Sequence, residues 1–324
     1  QAHCETCHGG TVSKAPQLTL LNIMAASSVY AALDSGVMRE QAAALSDRQR
    51  RDVAEFLTGQ ALDTASGPAL PPSCAGSAAT FDFDALPHTA AWGVGLSNQR
   101  RFSPELTDIN IDNIANLRLK WAFAYPEAVR ARSQPAMAGG SIFVGSQNGT
   151  VFSLDEDSGC LRWMFKTTAE VRTGIVVSPW NAGKSATPLL YFGDIIGNVY
   201  AVNAINGELV WRDRADDHPS LTLTAAPSLY EGRLYVPLSA LEVTAAANPD
   251  YPCCTFRGGV AVYDAKSGEK QWTAYTIDQE PKEVGKNSVG TPRIAPSGAP
   301  VWNTPALDPK RGVMYVGTGT NYSS

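Results

Sequence analysis

A repeat of glycine and tryptophan at fixed spacing most constrains the fold of this chain. Three times an Asp or Asn precedes a Gly by four positions and a Trp follows that Gly by four: Asp155-Gly159-Trp163, Asn203-Gly207-Trp211 and Asp264-Gly268-Trp272. Asp and Asn side chains bond turn backbone, and Gly takes positive φ at no steric cost. Each copy follows a run of apolar residues, so the pattern predicts a strand, a tight turn and an outer strand that begins near the Trp.

The spacing of these units is typical of β-propeller blades, which stack on their neighbours and recur at periods of about 40 to 60 residues. A weaker copy, Asn113, Leu117 and Trp121, keeps the spacing but lacks the Gly. A β-sandwich with coincidental Trp residues is the alternative. We therefore expect about four blades here. Four blades would leave a ring open, so we expect a fragment whose further blades follow Ser324.

The region before the repeats has a helical pattern. Residues 42–57 contain no Gly or Pro, and Ser46 and Gln49 form a Ser-x-x-Gln capping box at the start of the last helix. Ala, Ser, Gly and Pro then dominate, as in a linker. The predicted fold is multidomain: a small all-α cytochrome c domain at 1–60, a linker at 61–90, and an all-β propeller region at 91–324.

The cytochrome prediction rests on Cys4-Glu5-Thr6-Cys7-His8. In a Cys-x-x-Cys-His motif the two thiols form thioethers to haem, and the His becomes an axial ligand of the iron. A Met thioether commonly takes the other axial position. Met38 lies in a loop before the capped helix, whereas Met24 lies in an apolar run typical of core packing. The sequence therefore predicts haem c on Cys4, Cys7, His8 and Met38.

Composition and the remaining cysteines restrict the partners and the cellular compartment of the protein. The net charge is -5 with no Lys/Arg run, and no apolar stretch is long enough for a membrane span. We expect neither nucleic acid nor a membrane span. Four other cysteines, an even number, fit an oxidising compartment, and haem attachment in bacteria occurs after export, so we expect a periplasmic protein. Adjacent Cys253 and Cys254 form either a vicinal disulfide or two thiols.

The propeller region resembles the pyrroloquinoline quinone (PQQ)-dependent quinohaemoprotein alcohol dehydrogenases, a family of eight-bladed propellers with one docking Trp per blade. The resemblance covers the whole chain. A cytochrome c domain ahead of the propeller is the order in the family branch that oxidises polyvinyl alcohol. The resemblance implies PQQ, Ca²⁺ and haem c as cofactors and oxidation of secondary alcohols, polyvinyl alcohol among them.

Individual matches imply the PQQ site. Ser239 opens Ser239-Ala240-Leu241-Glu242, which resembles the family's Ser-Gly-Ala-Glu segment with its PQQ-contacting Ser. Thr224 and Arg172 stand where the family has a PQQ-contacting Thr and Arg. Trp302 precedes Asp308-Pro309 as the family's stacking Trp does. The implied PQQ residues are therefore Arg172, Thr224, Ser239 and Trp302.

The resemblance also implies a calcium site, with Glu242 as its carboxylate ligand. Where the family has Asn or Asp after Gly317-Thr318-Gly319, this chain has Thr320 and then Asn321. The calcium ligand is thus either displaced by one residue or the site is weakened. Cys253-Cys254 follows Glu242, unlike the vicinal cysteines of methanol dehydrogenases, so we do not transfer the quinone contact to that pair.

The implied mechanism passes electrons from the reduced quinone through haem to an external acceptor such as a soluble cytochrome c. The family's Asp base is expected beyond Ser324, and neither Asp278 nor Asp308 takes its place. The catalytic base is therefore unknown, and the given segment alone should be inactive. The alternative is a non-enzymatic periplasmic scaffold or binding protein with an electron-carrying haem domain.

Overall fold

The helices of the chain come first and the strands follow. A computed structural model describes residues 4–10, 12, 14–62, 68–85, 87, 89–128, 130–180 and 187–322. Four helices precede the first strand: α1 Glu5–His8, α2 Leu18–Leu21, α3 Ala26–Asp34 and α4 Asp47–Thr58. A fifth, α5 Glu242–Ala245, lies among the strands. In the part of the chain so described, no helix is long and apolar enough to cross a membrane.

Helix α4 begins and ends as its sequence predicts. The Gln49 backbone N–H donates to Ser46 Oγ at 3.3 Å, and the Ser46 backbone N–H donates to Gln49 Oε1 at 2.9 Å. This capping box satisfies two N–H groups that a helix start leaves unpaired. Gly59 ends the helix at φ 65°, in the left-handed conformation favoured at helix ends. Helix α4 packs against α3 around buried Val29, Leu33 and Ala54.

The strands form three main antiparallel sheets. The first contains β1 Ala136–Ala138, β2 Ser141–Gly145, β3 Thr150–Asp155 and β4 Leu161–Lys166 in chain order. The second contains β5 Val176–Val177, β6 Leu189–Gly193, β7 Asn198–Asn203 and β8 Leu209–Arg214. The third contains β10 Ser228–Tyr230, β11 Arg233–Ala240, β12 Gly259–Asp264 and β13 Lys270–Tyr275, with β9 Leu221–Thr222 paired to the end of β11.

Two hairpins follow the third sheet. They consist of β14 Lys282–Lys286 with β15 Pro292–Ala295, and β16 Ala306–Asp308 with β17 Val313–Tyr315. The third strand of the first sheet, β3, is buried along its whole length, whereas the outer strand β4 is half-exposed. The same contrast separates β7 from β8. Such burial is expected when each sheet is covered on both faces, as propeller blades are.

The weak repeat copy at 113–121 forms no strand. Three sheets have four strands in sequence, and the described residues before Ala136 form no strand. The weak copy at 113–121 instead makes a 3₁₀ turn, Ile114–Asn116, and Leu117 has φ −56°. A tight turn of the repeat type needs positive φ at this position, which Leu resists and Gly accepts. The missing Gly therefore explains the missing strand pair.

Three tryptophans at the repeat spacing, Trp121, Trp163 and Trp211, each join one unit to the next. Every docked indole N–H donates to a carbonyl in the following turn: Trp121 to Glu156 at 3.0 Å, Trp163 to Ala204 at 3.0 Å and Trp211 to Ala265 at 2.9 Å. The ring lies directly on the turn glycine. A Cβ on Gly268 would come within 2.5 Å of the Trp211 ring. The glycine thus serves both the turn and the interface.

The segment predicted as a linker, 61–90, is partly packed against the first sheet. Cys74 and Cys160 form a disulfide with a Cα–Cα distance of 5.1 Å, and Cys74 N–H donates to the Leu161 carbonyl at 2.9 Å. Farther along, the Trp180 indole N–H donates to the Asp82 carbonyl at 2.7 Å. Residues 74–82 are therefore part of the folded body. The small residues of this segment predicted a linker, but small residues can also pack along the edge of a sheet.

Two glycine substitutions test the dual role of the turn glycine. Gly232 and Gly268 have φ of 73° and 75°, but only Gly268 faces an indole, because a Cβ on Gly232 would meet nothing within 4 Å. We expect Gly232→Ala to lower the free energy of unfolding by roughly 1 to 2 kcal/mol through the backbone alone. Gly268→Ala should cost about 1 to 3 kcal/mol more because of overpacking. Equal losses in denaturant unfolding would contradict the interface role.

Candidate functional site

A cavity of about 660 Å³ lies between the helical region and the sheets. Thr19, Asn22 and Ile23 line it from the α2 side, and Thr224 and Trp302 line it from the sheet side. An adjoining cavity of about 520 Å³ continues toward Trp92 and Tyr315. Both cavities share Arg132, Arg172, Thr224 and Trp302. Three of the four residues predicted to contact PQQ therefore face one continuous concave surface, which we call the arginine cavity.

The four shared residues occupy equivalent positions in the repeat. Each stands four residues before the first strand of its sheet or hairpin, as the strand starts at Ala136, Val176, Ser228 and Ala306 place them. They therefore sit in equivalent connections between successive sheets. Because stacked repeats present equivalent connections on one face, the repeat itself brings these side chains together.

Arg172 is held in place by its neighbours. The Val171 N–H donates to the Ser146 carbonyl at 3.0 Å, and Ser133 Oγ donates to the Thr173 carbonyl at 2.8 Å. Burial lowers the pKa of Arg172, and the nearby positive charge of Arg132 lowers it further, while Glu170 opposes the shift. Guanidinium groups this close to one another favour a bound anion. The site thus suits a ligand with several carboxylates.

Two further arginines border this surface. Arg130 Nη2 donates to Glu170 Oε2 at 2.9 Å and to the Ile23 carbonyl at 3.1 Å, while its buried Nε has no hydrogen-bond partner. Arg100 lines the smaller cavity, with its guanidinium 5.3 Å from the centre of the Trp92 ring. A sheet-side basic surface therefore extends beyond Arg172 alone.

Sequence reasoning missed Arg132, although a signal was present. Arg132 precedes Pro135 by three positions, as Thr224 precedes Pro227 and Trp302 precedes Pro305. In these three connections a Pro lies just before the first strand, and the cavity residue lies three positions before that Pro. A search for this spacing finds Arg132. Arg100 and Trp92 have no comparable signal, because they belong to an irregular segment.

Ser239 does not lie on the cavity surface. Its side chain is fully buried in β11, and its hydroxyl is 3.1 Å from Thr224 Oγ1 and 2.9 Å from Thr222 Oγ1. It also donates to the Thr222 carbonyl at 2.9 Å. The direct contact of Ser239 with PQQ stays a prediction; in the structure its hydroxyl lies behind Thr224, 3.1 Å from Thr224 Oγ1. The motif could not reveal this, since β9 pairs with β11 only in the folded sheet.

Trp302 offers a flat apolar surface. Its side chain is 40% exposed, and the backbone of Gly319 lies against the edge of its indole. The Val301 N–H donates to the Leu238 carbonyl at 3.0 Å, which fixes the chain just before the ring. Trp302 takes no part in the docking repeat. It is therefore available to stack on a planar ligand.

Glu242 as a calcium ligand stays a prediction, and its carboxylate has several hydrogen-bond donors around it. The carboxylate is fully buried, and Oε1 accepts from Thr255 N–H at 2.8 Å, Tyr251 O–H at 3.1 Å and Thr255 O–H at 3.2 Å. Oε2 accepts from Phe256 N–H at 2.8 Å. Oε1 therefore carries three donors and Oε2 carries one, so hydrogen bonds already surround the carboxylate. Calcium needs free oxygen lone pairs, and backbone N–H groups would repel it.

The pKa of Glu242 agrees with this environment. Burial would raise the pKa, but the neighbouring His218 and the backbone N–H groups of Thr255 and Phe256 hold it below its ordinary value. His218 Nε2 lies 3.6 Å from Glu242 Oε1. The group is therefore an ionised carboxylate surrounded by hydrogen-bond donors.

The assignment of Thr320 or Asn321 as a calcium ligand stays a prediction. Both are exposed, and the chain is anchored at the next residue, where Tyr322 O–H donates to the Ala240 carbonyl at 2.8 Å. Among the residues with described positions, no group of three or more His, Cys, Asp or Glu side chains is arranged to hold a metal ion. Neither residue is hydrogen-bonded to the Glu242 carboxylate.

The Cys-x-x-Cys-His motif has the geometry that haem attachment requires. Cys4 and Cys7 are unpaired thiols at the start and within α1, and His8 is only 8% exposed. His8 Nδ1 lies 2.6 Å from the Pro16 carbonyl oxygen. That carbonyl can only accept, so Nδ1 carries the proton and the Nε2 lone pair is free for iron. The residues fit a haem group.

The two candidate methionines differ in burial. Met24 is 4% exposed within the hydrophobic cluster under α3 and α4, whereas Met38 is half-buried at the edge of that cluster. The Met38 N–H donates to the Ala32 carbonyl at 2.9 Å. The choice of Met38 as axial ligand stays a prediction.

Cys253 and Cys254 are bonded to each other and buried in the third sheet's core. The Cys254 N–H donates to the Ile294 carbonyl at 3.1 Å. Neither cysteine lines the arginine cavity. Of the two states left open by the sequence, the structure contains the vicinal disulfide.

Comparison with known proteins agrees with this geometry. The chain resembles a polyvinylalcohol dehydrogenase of Pseudomonas sp., with 31% identity over 100% of the chain and 52% of the relative. A polyvinylalcohol dehydrogenase of Sphingopyxis sp. (strain 113P3) is 29% identical over 100% of the chain and 51% of its own length. The chain thus spans about half the length of these curated relatives.

Solved structures and a family model extend the comparison. Quinohemoprotein alcohol dehydrogenase from Comamonas testosteroni superposes with a TM-score of 0.53 and 20% identity, covering 72% of this chain and 35% of that one, which supports the propeller fold. Residues 91–323 match the family model described as PQQ: glucose/ethanol/alcohol dehydrogenase, beta-propeller domain. The chain therefore belongs to the PQQ β-propeller family of the glucose, ethanol and alcohol dehydrogenases.

Proposed function

We propose that this chain forms the PQQ- and haem-binding part of a periplasmic alcohol dehydrogenase. The observation that carries the proposal is the convergence of Arg132, Arg172, Thr224 and Trp302 on one cavity. PQQ is a planar quinone with three carboxylates. A flat indole and two guanidinium groups match a planar anion, and a scaffold propeller needs neither.

The protein residues have separate tasks in this proposal. Trp302 would support the ring face, and Arg132 and Arg172 would hold carboxylate or quinone oxygens. Thr224 would donate a hydrogen bond, with Ser239 fixing its hydroxyl. Thr19, Asn22 and Ile23 would restrict water on the opposite wall. These groups orient the ligand without having to move, which favours catalysis by positioning.

Cys4, Cys7 and His8 would hold haem c, with Met38 as the second axial ligand. When bound, PQQ supplies the two-electron oxidation of the alcohol, and haem c supplies one-electron transfer to an acceptor such as a soluble cytochrome c. The Pro16 carbonyl holds the His8 ring in the orientation that presents Nε2. The proposal does not extend to calcium at Glu242.

The proposed substrates are secondary alcohols, with polyvinyl alcohol first among them. This choice rests on the polyvinylalcohol dehydrogenases that match the whole chain. The test is oxidation by the full-length protein, produced in a host that attaches haem and then supplied with PQQ. Polyvinyl alcohol or a short 1,3-diol should reduce an added dye. Absence of alcohol-dependent reduction in PQQ-loaded, haem-containing protein would refute the enzyme function.

Arg172→Gln tests the arginine cavity. The substitution keeps a polar side chain but removes the charge, so PQQ affinity should fall roughly 10-fold or more, as expected for one charge-assisted hydrogen bond. Titration of tryptophan fluorescence with PQQ measures the affinity. Arg118→Gln, at an exposed position, is the matched control and should bind like the unaltered protein. Unchanged affinity in Arg172→Gln would place PQQ elsewhere.

Met38→Leu tests the second axial ligand. Loss of a thioether ligand should lower the haem reduction potential, because Met ligation raises it. Met24→Leu is the matched control, and we expect it to leave the potential unchanged, since Met24 is a core residue. The spectrum and potential of the purified haem protein measure both effects. A lowered potential in Met24→Leu alone would assign the ligand to Met24.

A further inference from the structure

We propose that Glu242 is the centre of a hydrogen-bond network that holds the His8-bearing segment against the propeller. Glu242 and Tyr251 are then positioning residues for the haem histidine. The inference rests on the proposed function only for the presence of haem at His8. The network itself consists of contacts between residues of this chain.

The first step is the state of the Glu242 carboxylate. Four hydrogen bonds reach it from one segment, Tyr251 to Phe256, three at Oε1 and one at Oε2. A buried carboxylate with this many donors is costly to leave unpaired. It therefore fixes the segment that surrounds it. Glu242 begins α5, directly after β11, so the fixed point belongs to the third sheet.

The second step is Tyr251, which joins this carboxylate to the helical region. Its hydroxyl donates to Glu242 Oε1 at 3.1 Å and accepts from Gln17 Nε2 at 3.4 Å. Burial and the charge of Glu242 raise the pKa of Tyr251 to about 12, so the hydroxyl keeps its proton at neutral pH. One hydroxyl thus serves both partners, as donor to one and acceptor for the other.

The third step is the position of Gln17 beside the haem motif. Gln17 is buried and follows Pro16, whose carbonyl is 2.6 Å from His8 Nδ1. The Gln17 carbonyl accepts from Leu20 N–H at 2.9 Å and so starts α2. A Cβ on Gly10 would come within 2.9 Å of Gln17 Nε2, so the glycine avoids a steric clash with the Gln17 side-chain amide. Gln17 therefore ties Tyr251 to the segment that orients His8.

A second contact runs in parallel through the 216–220 loop. The Lys14 N–H donates to the Asp217 carbonyl at 3.1 Å. In the same loop the Ser220 N–H donates to His218 Nδ1 at 3.2 Å, which leaves the proton on Nε2, 2.9 Å from Thr255 Oγ1. Thr255 and Glu242 therefore hold this loop as well. The 216–220 loop and Tyr251, which bond to Lys14 and Gln17, are thus both linked by hydrogen bonds to the Glu242 carboxylate.

The consequence is a link between the propeller and the haem ligand. If Tyr251 loses its hydroxyl, Gln17 Nε2 loses this partner and the Glu242 carboxylate loses one of its donors. Residues 14–22 should then open more often, and the Pro16 carbonyl should hold His8 less firmly. The hydrogen bond on Nδ1 tunes the basicity of an iron-bound His, so the haem potential should shift.

Tyr251→Phe in the full-length haem protein tests the network. Hydrogen exchange measured by mass spectrometry should show peptides covering 14–22 exchanging roughly fivefold faster, the effect of about one hydrogen bond. The haem reduction potential should also shift. The matched control is Tyr263→Phe, which removes a buried Tyr-to-carboxylate bond, 3.0 Å to Asp213, away from the helical region. Tyr263→Phe should change neither readout.

Other outcomes are also decisive. Unchanged exchange at 14–22 in Tyr251→Phe would overturn the network, as would protection of 251–256 on addition of calcium. If Tyr251→Phe fails to fold, Gln17→Leu breaks the same link from the helical side and leaves Glu242 fully paired. Unaltered protein without covalent haem would refute the haem proposal, while the exchange measurement would still decide the network.

Discussion

The contact between an indole of one unit and the turn glycine of the next controls the arrangement of the whole β region. Trp163 and Trp211 each bridge two sheets through ring packing and an N–H bond to a turn carbonyl. Because the geometry is the same at each junction, each sheet is rotated against its neighbour in the same way. Residues at equivalent points of successive connections then meet on one face.

Because the Trp–Gly contact recurs at successive junctions, it also brings together the residues that line the arginine cavity. Arg132, Arg172, Thr224 and Trp302 come from four different connections, yet all lie four residues before a strand start. Glu170, which pairs with Arg130 at this edge, offsets only part of the positive charge. The rigid sheets keep Arg132 and Arg172 close despite their repulsion. A bound polyanion would relieve that repulsion, which is why the cavity favours such a ligand.

The sequence predicted best where one local rule decides the structure. The capping box of α4 and the docking tryptophans follow from spacing alone, and the structure has both. The sequence could not reveal the hydrogen-bond partners that distant segments supply. Ser239 was placed against PQQ, but β9 pairing hides it behind Thr224. Glu242 was assigned to calcium, but donors from Tyr251 to Phe256 occupy it. A four-residue motif identifies a carboxylate and says nothing of which atoms will face it.

The stretch from His8 to Ile23 is common to both candidate cofactor sites. Its first part carries the histidine and the Pro16 carbonyl, and its last part, Thr19 to Ile23, forms one wall of the arginine cavity. Gln17 lies between them and is tied to the third sheet. A displacement of this stretch would therefore move the haem histidine and the cavity wall together. In the proposed function, the separation of the two sites would depend on how firmly the propeller holds this short segment. The buried Glu242 carboxylate would then influence electron transfer without touching either cofactor.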